Sequence, residues 1–227
     1  MTIFPMKKIF SPLFWALMLF VLTACNKTSS RKTYWENGQL KSMLSYQGDS
    51  ILNGPANWYY ENGQKQQEVN YEANKLEGKS LRWYENGKLQ SEIWYSNNLK
   101  DSISILYDKE GYKSVVEFYR NDTIEGPFNR FYPHGETMIS GFYRQGMMDG
   151  SWLFYNVEGQ IIGKADYQLG TGIQKAWYSN GNVSRVIRYV NNLREGAEEY
   201  YTPEGKLEKT LYYSAGVLVK EEITNKN

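Results

Sequence analysis

The sequence predicts an all-β protein, an elongated, repetitive antiparallel β-hairpin array of about eight repeats of roughly 24 residues each. Three observations carry this prediction. Glycines recur at Gly38, Gly63, Gly87, Gly111, Gly135, Gly159, Gly181 and Gly205, with spacings of 25, 24, 24, 24, 24, 22 and 24 residues. A tyrosine stands eight residues after every one of them, at Tyr46, Tyr71, Tyr95, Tyr119, Tyr143, Tyr167, Tyr189 and Tyr213. A fixed period of this length is the mark of a repeat architecture. The third observation is composition: 20 Tyr and 7 Trp, residues that suit pleated, half-buried surfaces. Helical periodicity is absent outside the N-terminal segment.

The N-terminal segment differs from all that follows. Lys7 and Lys8 precede an apolar run, Ile9 to Val21, broken only by Ser11 and Pro12. That run is shorter than the roughly 20 residues of a membrane span and has the dimensions of a secretory signal. The next four residues, Leu22-Thr23-Ala24-Cys25, resemble the lipobox of bacterial lipoproteins. The resemblance implies a cleaved signal at 1–24 and a palmitate-bearing Cys25 at the mature N-terminus. It implies a chain anchored by lipid in the bacterial cell membrane. By the sorting rule of enteric bacteria, Asn26 rather than Asp after the cysteine implies the outer membrane, facing the periplasm or the surface. Other phyla use other signals, and the leaflet stays open. Cys25 is the single cysteine, so a disulfide within the chain is excluded. Residues 25–32 read as the lipidated cysteine and a polar tether, and 33–227 as the array.

Within each unit the anchor glycine closes a tight turn, written either YENG, YPHG and YSNG or YDKEG, YNVEG and YTPEG. These read as two turn lengths, with Asn-Gly the strongest short hairpin signal because both residues tolerate positive φ. A second set of glycines, Gly54, Gly78, Gly126, Gly150, Gly172 and Gly196, reads as a second turn. Each unit is then strand, turn, strand, turn, giving about sixteen strands in all. Alternation places Leu89, Ile93 and Tyr95 on one face and Lys88, Gln90 and Glu92 on the other, and likewise Val183, Ile187 and Tyr189. The eight tyrosines are expected to stack as a ladder on the apolar face. A lone hairpin is marginal in water, so the repeated words are what each hairpin offers its neighbour. At ~4.8 Å per strand, a flat array would extend about 75 Å.

The recurring WYYENGQ…E…Y…EG pattern resembles the MORN-repeat variant family of bacterial proteins, from about Thr33 to Val219. The resemblance implies a hairpin fold and a scaffold role rather than an activity. Members are often described as antitoxin-like, a role at odds with a lipobox. The fourth, sixth and eighth units and the early Gly181 are expected to distort the stack locally.

The function classes narrow accordingly. A net charge of +1 with scattered Lys and Arg lacks the basic stripe that nucleic acid requires. His134 lies in a turn and Cys25 is committed to lipid, so no Cys–His pair forms. No phosphate loop, no cofactor motif and no metal-ligand spacing is present. Glu36, Glu61 and Glu85 recur beside turn asparagines and read as solvated turn residues. The chain therefore reads as non-catalytic, without cofactor or metal.

Seven residues after each anchor, on the side away from the tyrosines, stand Asn70, Trp94, Phe118, Phe142, Asp166, Arg188 and Tyr212. Trp94, Phe118, Phe142 and Tyr212 are candidates for a contact stripe, with coverage of the second face of a thick or rolled sheet as the alternative. The reading that follows is a scaffold for an envelope protein. The alternative is a glycan or cell-wall binder that stacks sugars on aromatics.

Overall fold

A computed structural model describes residues 28–224. The leader, Cys25 and Asn26 lie outside the described residues. What is described is a single sheet of twenty strands. They run β1 Thr28–Tyr34, β2 Leu40–Gln47, β3 Ile51–Tyr59, β4 Lys65–Glu72, β5 Lys75–Leu76, β6 Gly78–Trp83 and β7 Leu89–Ser96. Then come β8 Leu99–Tyr107, β9 Lys113–Arg120, β10 Thr123–Ile124, β11 Gly126–Phe131, β12 Thr137–Arg144 and β13 Met147–Tyr155. The remainder are β14 Ile161–Gln168, β15 Thr171–Trp177, β16 Val183–Val190, β17 Leu193–Arg194, β18 Gly196–Tyr201, β19 Leu207–Ser214 and β20 Val217–Ile223.

Three of these, β5, β10 and β17, are two-residue leads into β6, β11 and β18 across a single residue, so twenty less three leaves seventeen rows. All pairings are antiparallel and join sequence neighbours, and β1 and β20 form the two edges of the described sheet. Residues 28–32 were expected in the tether but belong to β1. Thr28 to Thr33 pair residue by residue with Gln47 to Ser42 of β2, and ladder bonding outweighs the low strand propensity of their serines.

Counting positions from each anchor glycine, one turn serves all eight units. The residue at −3 donates its N–H to the carbonyl at +1, and the glycine N–H returns to the carbonyl at −3, as in Tyr60 with Gln64 and Gly63. The supposed longer turns are the same turn: Asp108, Asn156 and Thr202 make the same two bonds. Every anchor glycine has φ between +78° and +105°. The asparagine before it stays at negative φ and uses its side chain instead. Asn62 Oδ1, for example, accepts the Gln64 N–H at 2.9 Å. His134 is the exception, a non-glycine at φ +80° following Pro133.

The second turn lies ten and eleven residues after most anchors, not at the second glycines. Ala73–Asn74, Asn97–Asn98, Asn121–Asp122 and Asn191–Asn192 all have both residues at positive φ, the two-residue geometry matched to strand twist. The second glycines sit inside strands. Gly54 opposes Tyr71, Gly78 opposes Tyr95 and Gly126 opposes Tyr143. There the register slips by two residues: Tyr71↔Leu76 gives way to Glu68↔Leu81 across β4, β5 and β6. In the sixth unit that slip is missing, and the β14–β15 ladder runs unbroken from Gly163↔Ala176 to Gln168↔Thr171. The 22-residue spacing is therefore the loss of a two-residue bulge. Gly172 accordingly has no need of positive φ.

A second bulge corrects the assignment of faces. Beside each first turn, −5 pairs with +4 but −4 pairs with +2, as in Arg82↔Ser91 and Trp83↔Leu89. Paired residues share a face. Leu89 and Val183 thus lie with the −4 residue, across the sheet from Tyr95 and Tyr189, while Ile93 and Ile187 stay with the tyrosines. Simple alternation fails because one extra residue shifts the parity.

The tyrosine face holds the main cluster: buried Trp152, Ala165 and Tyr167, packed with Phe128, Ile139, Tyr143, Phe154 and Tyr189. Gly141 makes room for it, since a Cβ there would lie 2.2 Å from the Trp152 ring. The expected tyrosine ladder is only partly realised. Tyr167 and Tyr189 meet edge to face at 5.6 Å, whereas Trp152 stands between Tyr143 and Tyr167 at 5.0 and 6.2 Å. Elsewhere cations cap the rings, Arg31 on Tyr46 and Lys100 on Tyr119. Two strands separate successive tyrosines, so their backbones stand nearly 10 Å apart. The rings meet only where both lean together, as Tyr167 and Tyr189 do, or where a third ring stands between them.

Candidate interaction surface

The hairpin ends are tied to one another by side chains that the turn geometry projects along the array. At the first turns the −3 aromatic donates to the −4 carbonyl of the next unit. Tyr60 Oη reaches Trp83 O at 2.7 Å, Tyr84 Oη reaches Tyr107 O at 2.8 Å and Trp35 Nε1 reaches Tyr59 O at 3.1 Å. Tyr132 and Tyr178 repeat the bond to Tyr155 O and Tyr201 O. Asp108 and Asn156 cannot, because their side chains bond within their own turns. The rung is therefore lost from the fourth to the fifth unit and from the sixth to the seventh. The fourth and sixth units thus differ from their neighbours by a missing donor, not by a longer turn.

The alignment of turns exposes an eightfold feature that the sequence reading missed. Position −4 is aromatic in every unit: Tyr34, Tyr59, Trp83, Tyr107, Phe131, Tyr155, Trp177 and Tyr201. The signal was present but was split between −3 and −4 by assuming two turn lengths. These residues, with those at +7, line the face away from the tyrosine row.

On that face the candidate stripe is brought together in part. Ile103 pairs with Phe118, and Pro127 with Phe142. Trp94, on β7, extends the same row. Trp94 and Phe142 are each 38% exposed. Charges close the row at both ends. Lys79, paired with Trp94, holds Glu92 at 2.8 Å. Asp149, paired with Phe142, holds Arg144 at 3.2 Å. An apolar centre with a charged rim is the layout of a protein contact patch. The sheet is a single layer, and the alternative of a rolled second face is not what these residues meet: strand contacts run between ladder neighbours. Tyr212 stands apart, beyond Asp166 and Arg188, with its hydroxyl on Glu222 at 2.8 Å.

The titratable groups are engaged structurally. Glu198 is buried on the tyrosine face, where Arg185 and the Tyr200 hydroxyl hold its Oε1. Arg194 lies 3.3 Å from Oε2, near enough for an ion pair although not aligned as a hydrogen bond. Burial, then the bond to Glu198, pushes the Tyr200 hydroxyl up to about 12. Burial likewise raises Tyr119, with its bond to Glu117 as the second cause. The His134 ring packs on Tyr112 at 5.2 Å. Among the described residues no three His, Cys, Asp or Glu side chains converge as metal ligands.

The family model for the MORN repeat variant matches residues 28–47, 52–73, 76–98, 171–191 and 194–215. No curated protein matches the chain. Among solved structures, a chain from "Crystal Structure of TcdB2-TccC3-Cdc42" aligns at 9% identity over 82% of this chain and 13% of its own, with a TM-score of 0.19. A chain from "Crystal Structure of TcdB2-TccC3" aligns at 11% identity over 83% of this chain and 17% of its own, with a TM-score of 0.15. This chain thus spans a small fraction of either, and the low scores leave both likenesses without weight. The five family matches flank residues 99–170, which keep the turns and ladders while carrying the aromatic cluster and most of the stripe. The chain is a MORN-repeat-variant protein, an array of β-hairpins.

Proposed function

We propose that this protein is a non-catalytic, lipid-anchored scaffold of the bacterial cell envelope that docks a protein partner on the Trp94–Phe118–Phe142 stripe. The observation that carries the reading is the break in symmetry at +7. Repeated structural positions keep one residue type throughout, whereas here three aromatics cluster in consecutive central units between charged ends. Interface energy concentrates in such aromatic anchors. Cys25, in its lipobox-like setting, supplies the anchor. Only Asn26 and Lys27 separate it from β1, so lipidation would hold the first strand within ~11 Å of the membrane, at ~3.5 Å per residue.

Two measurements test the proposal. Cys25→Ser should lose incorporated fatty acid and leave the membrane fraction; retention of the Ser variant argues for an uncleaved anchor instead. A photo-crosslinking residue at Phe118 or Phe142 should give one discrete protein adduct in cells, and one at Leu106, on the tyrosine face, should not. Adducts identical from both faces, or from neither, would contradict a stripe-directed partner.

A further inference from the structure

We infer that the cleft between the first turns of the sixth and seventh units is a binding site for a neutral saccharide. The cleft has a volume of about 590 Å³, within the usual range for small-ligand sites. Its origin is local. Asn156 stands where most other units place a ring. Its Oδ1 accepts the Gln160 N–H and its Nδ2 gives one hydrogen to Gln160 Oε1, which leaves one N–H and one lone pair of the amide open. No rung therefore closes the gap to Trp177. The fourth unit lacks its rung too, but there Tyr112, at the position of Gln160, fills the gap by packing on His134. Gln160 is too short and too polar to do the same, and the sixth gap stays open.

The lining has the chemistry of sugar recognition. Trp177 and Tyr178 offer rings, and Ile161 and Ile162, 54% and 39% exposed, offer aliphatic surface. Asn156, Gln160 and Ser179 offer amide and hydroxyl groups that both donate and accept. A pyranose matches this pairing, with C–H faces for the indole and hydroxyls for the amides. No charged side chain lines the cleft, which disfavours an ionic ligand. Trp177 also borders a second groove of about 440 Å³, but Lys164, Asp166 and Lys175 line that one, so the neutral ligand is assigned to the first cleft alone. Among the described residues, the rungs are missing after the fourth and sixth units, and of these two gaps the sixth is the one left open. It lies apart from the Trp94–Phe142 stripe.

The test is calorimetric titration of the full chain in detergent with cellotetraose, chitotetraose and tetragalacturonate. Saturable binding of a neutral tetrasaccharide is expected. Trp177→Ala should weaken it by about tenfold or more, as loss of an aromatic anchor does. Gln160→Tyr, which fills the gap as Tyr112 does, should abolish it, and Ile51→Ala, at an exposed position on β3, should leave it unchanged. Ser179→Glu, in an exposed turn, places a charge in the cleft without removing packing and should also abolish binding. Binding of tetragalacturonate alone, no saturable binding by either neutral sugar, or binding that survives Ser179→Glu in a folded protein would overturn the inference.

Discussion

At the scale of single residues, the array is held to its geometry by backbone positions that only some side chains tolerate. Ser102 opposes Tyr119 where the other long units place glycine, and it adopts φ +80°. A left-handed non-glycine costs about 1–2 kcal/mol, so Ser102→Gly should raise the urea midpoint by about 1 kcal/mol in stability. An unchanged or lower midpoint would mean that the Ser102 side chain compensates. Tyrosine ionisation gives a second expectation. Tyr95, Tyr107 and Tyr143 are raised by burial first, and Tyr200 reaches about 12 against an ordinary 10.0. The unfolded chain then releases these protons first. The stability they contribute is complete below about pH 10 and falls as pH climbs toward 12. Urea midpoints followed with tyrosinate absorbance should decline across that window, with no decline from this source below it.

At the scale of the hairpin, the sequence made the period, the all-β class and the anchor turns legible, because glycine and tyrosine hold positions that few other residues can fill. Faces and turn lengths were less legible. Nothing in the residue at +3, which is Gln90 in one unit and Ile162 in another, announces a bulge, yet that bulge moves Leu89 across the sheet. The second turns were hidden because Ala73–Asn74 and Asn97–Asn98 reach positive φ without glycine, while the glycines that drew the eye serve strand bulges. That Trp94, Phe118 and Phe142 lie opposite the tyrosines was readable, since +7 lies beyond the bulge and alternation holds again. The cleft at Trp177 was not, because it arises from a hydrogen bond that Asn156 fails to send. Rungs between hairpins should be measurable singly. Tyr84→Phe removes only the hydroxyl that bonds Tyr107 O and should cost about 1 kcal/mol. The same change at Tyr112, which makes no rung, should cost less, and equal costs would discount the rungs as ties between units.

At the scale of the whole molecule, stability should be graded along the array, since a terminal unit has one neighbour and a central unit two. Tyr143 packs on Phe128 and Trp152, whereas Tyr46 lies under Arg31 of the edge strand. Tyr143→Ala should cost about 3–5 kcal/mol and Tyr46→Ala distinctly less, read from chemical denaturation. Equal losses would contradict a linear array. Function on this account belongs to the face rather than to any one unit: the tyrosine face holds the array together and leaves the opposite stripe free for a partner. The most direct test is thiol accessibility of Pro127→Cys, an exposed position at the centre of the stripe, against Thr171→Cys, an exposed position outside it. In native membranes the thiol introduced on the stripe should label far more slowly than the one outside it, and purification should bring the two rates together. Equal labelling of both positions in native membranes would contradict an occupied stripe.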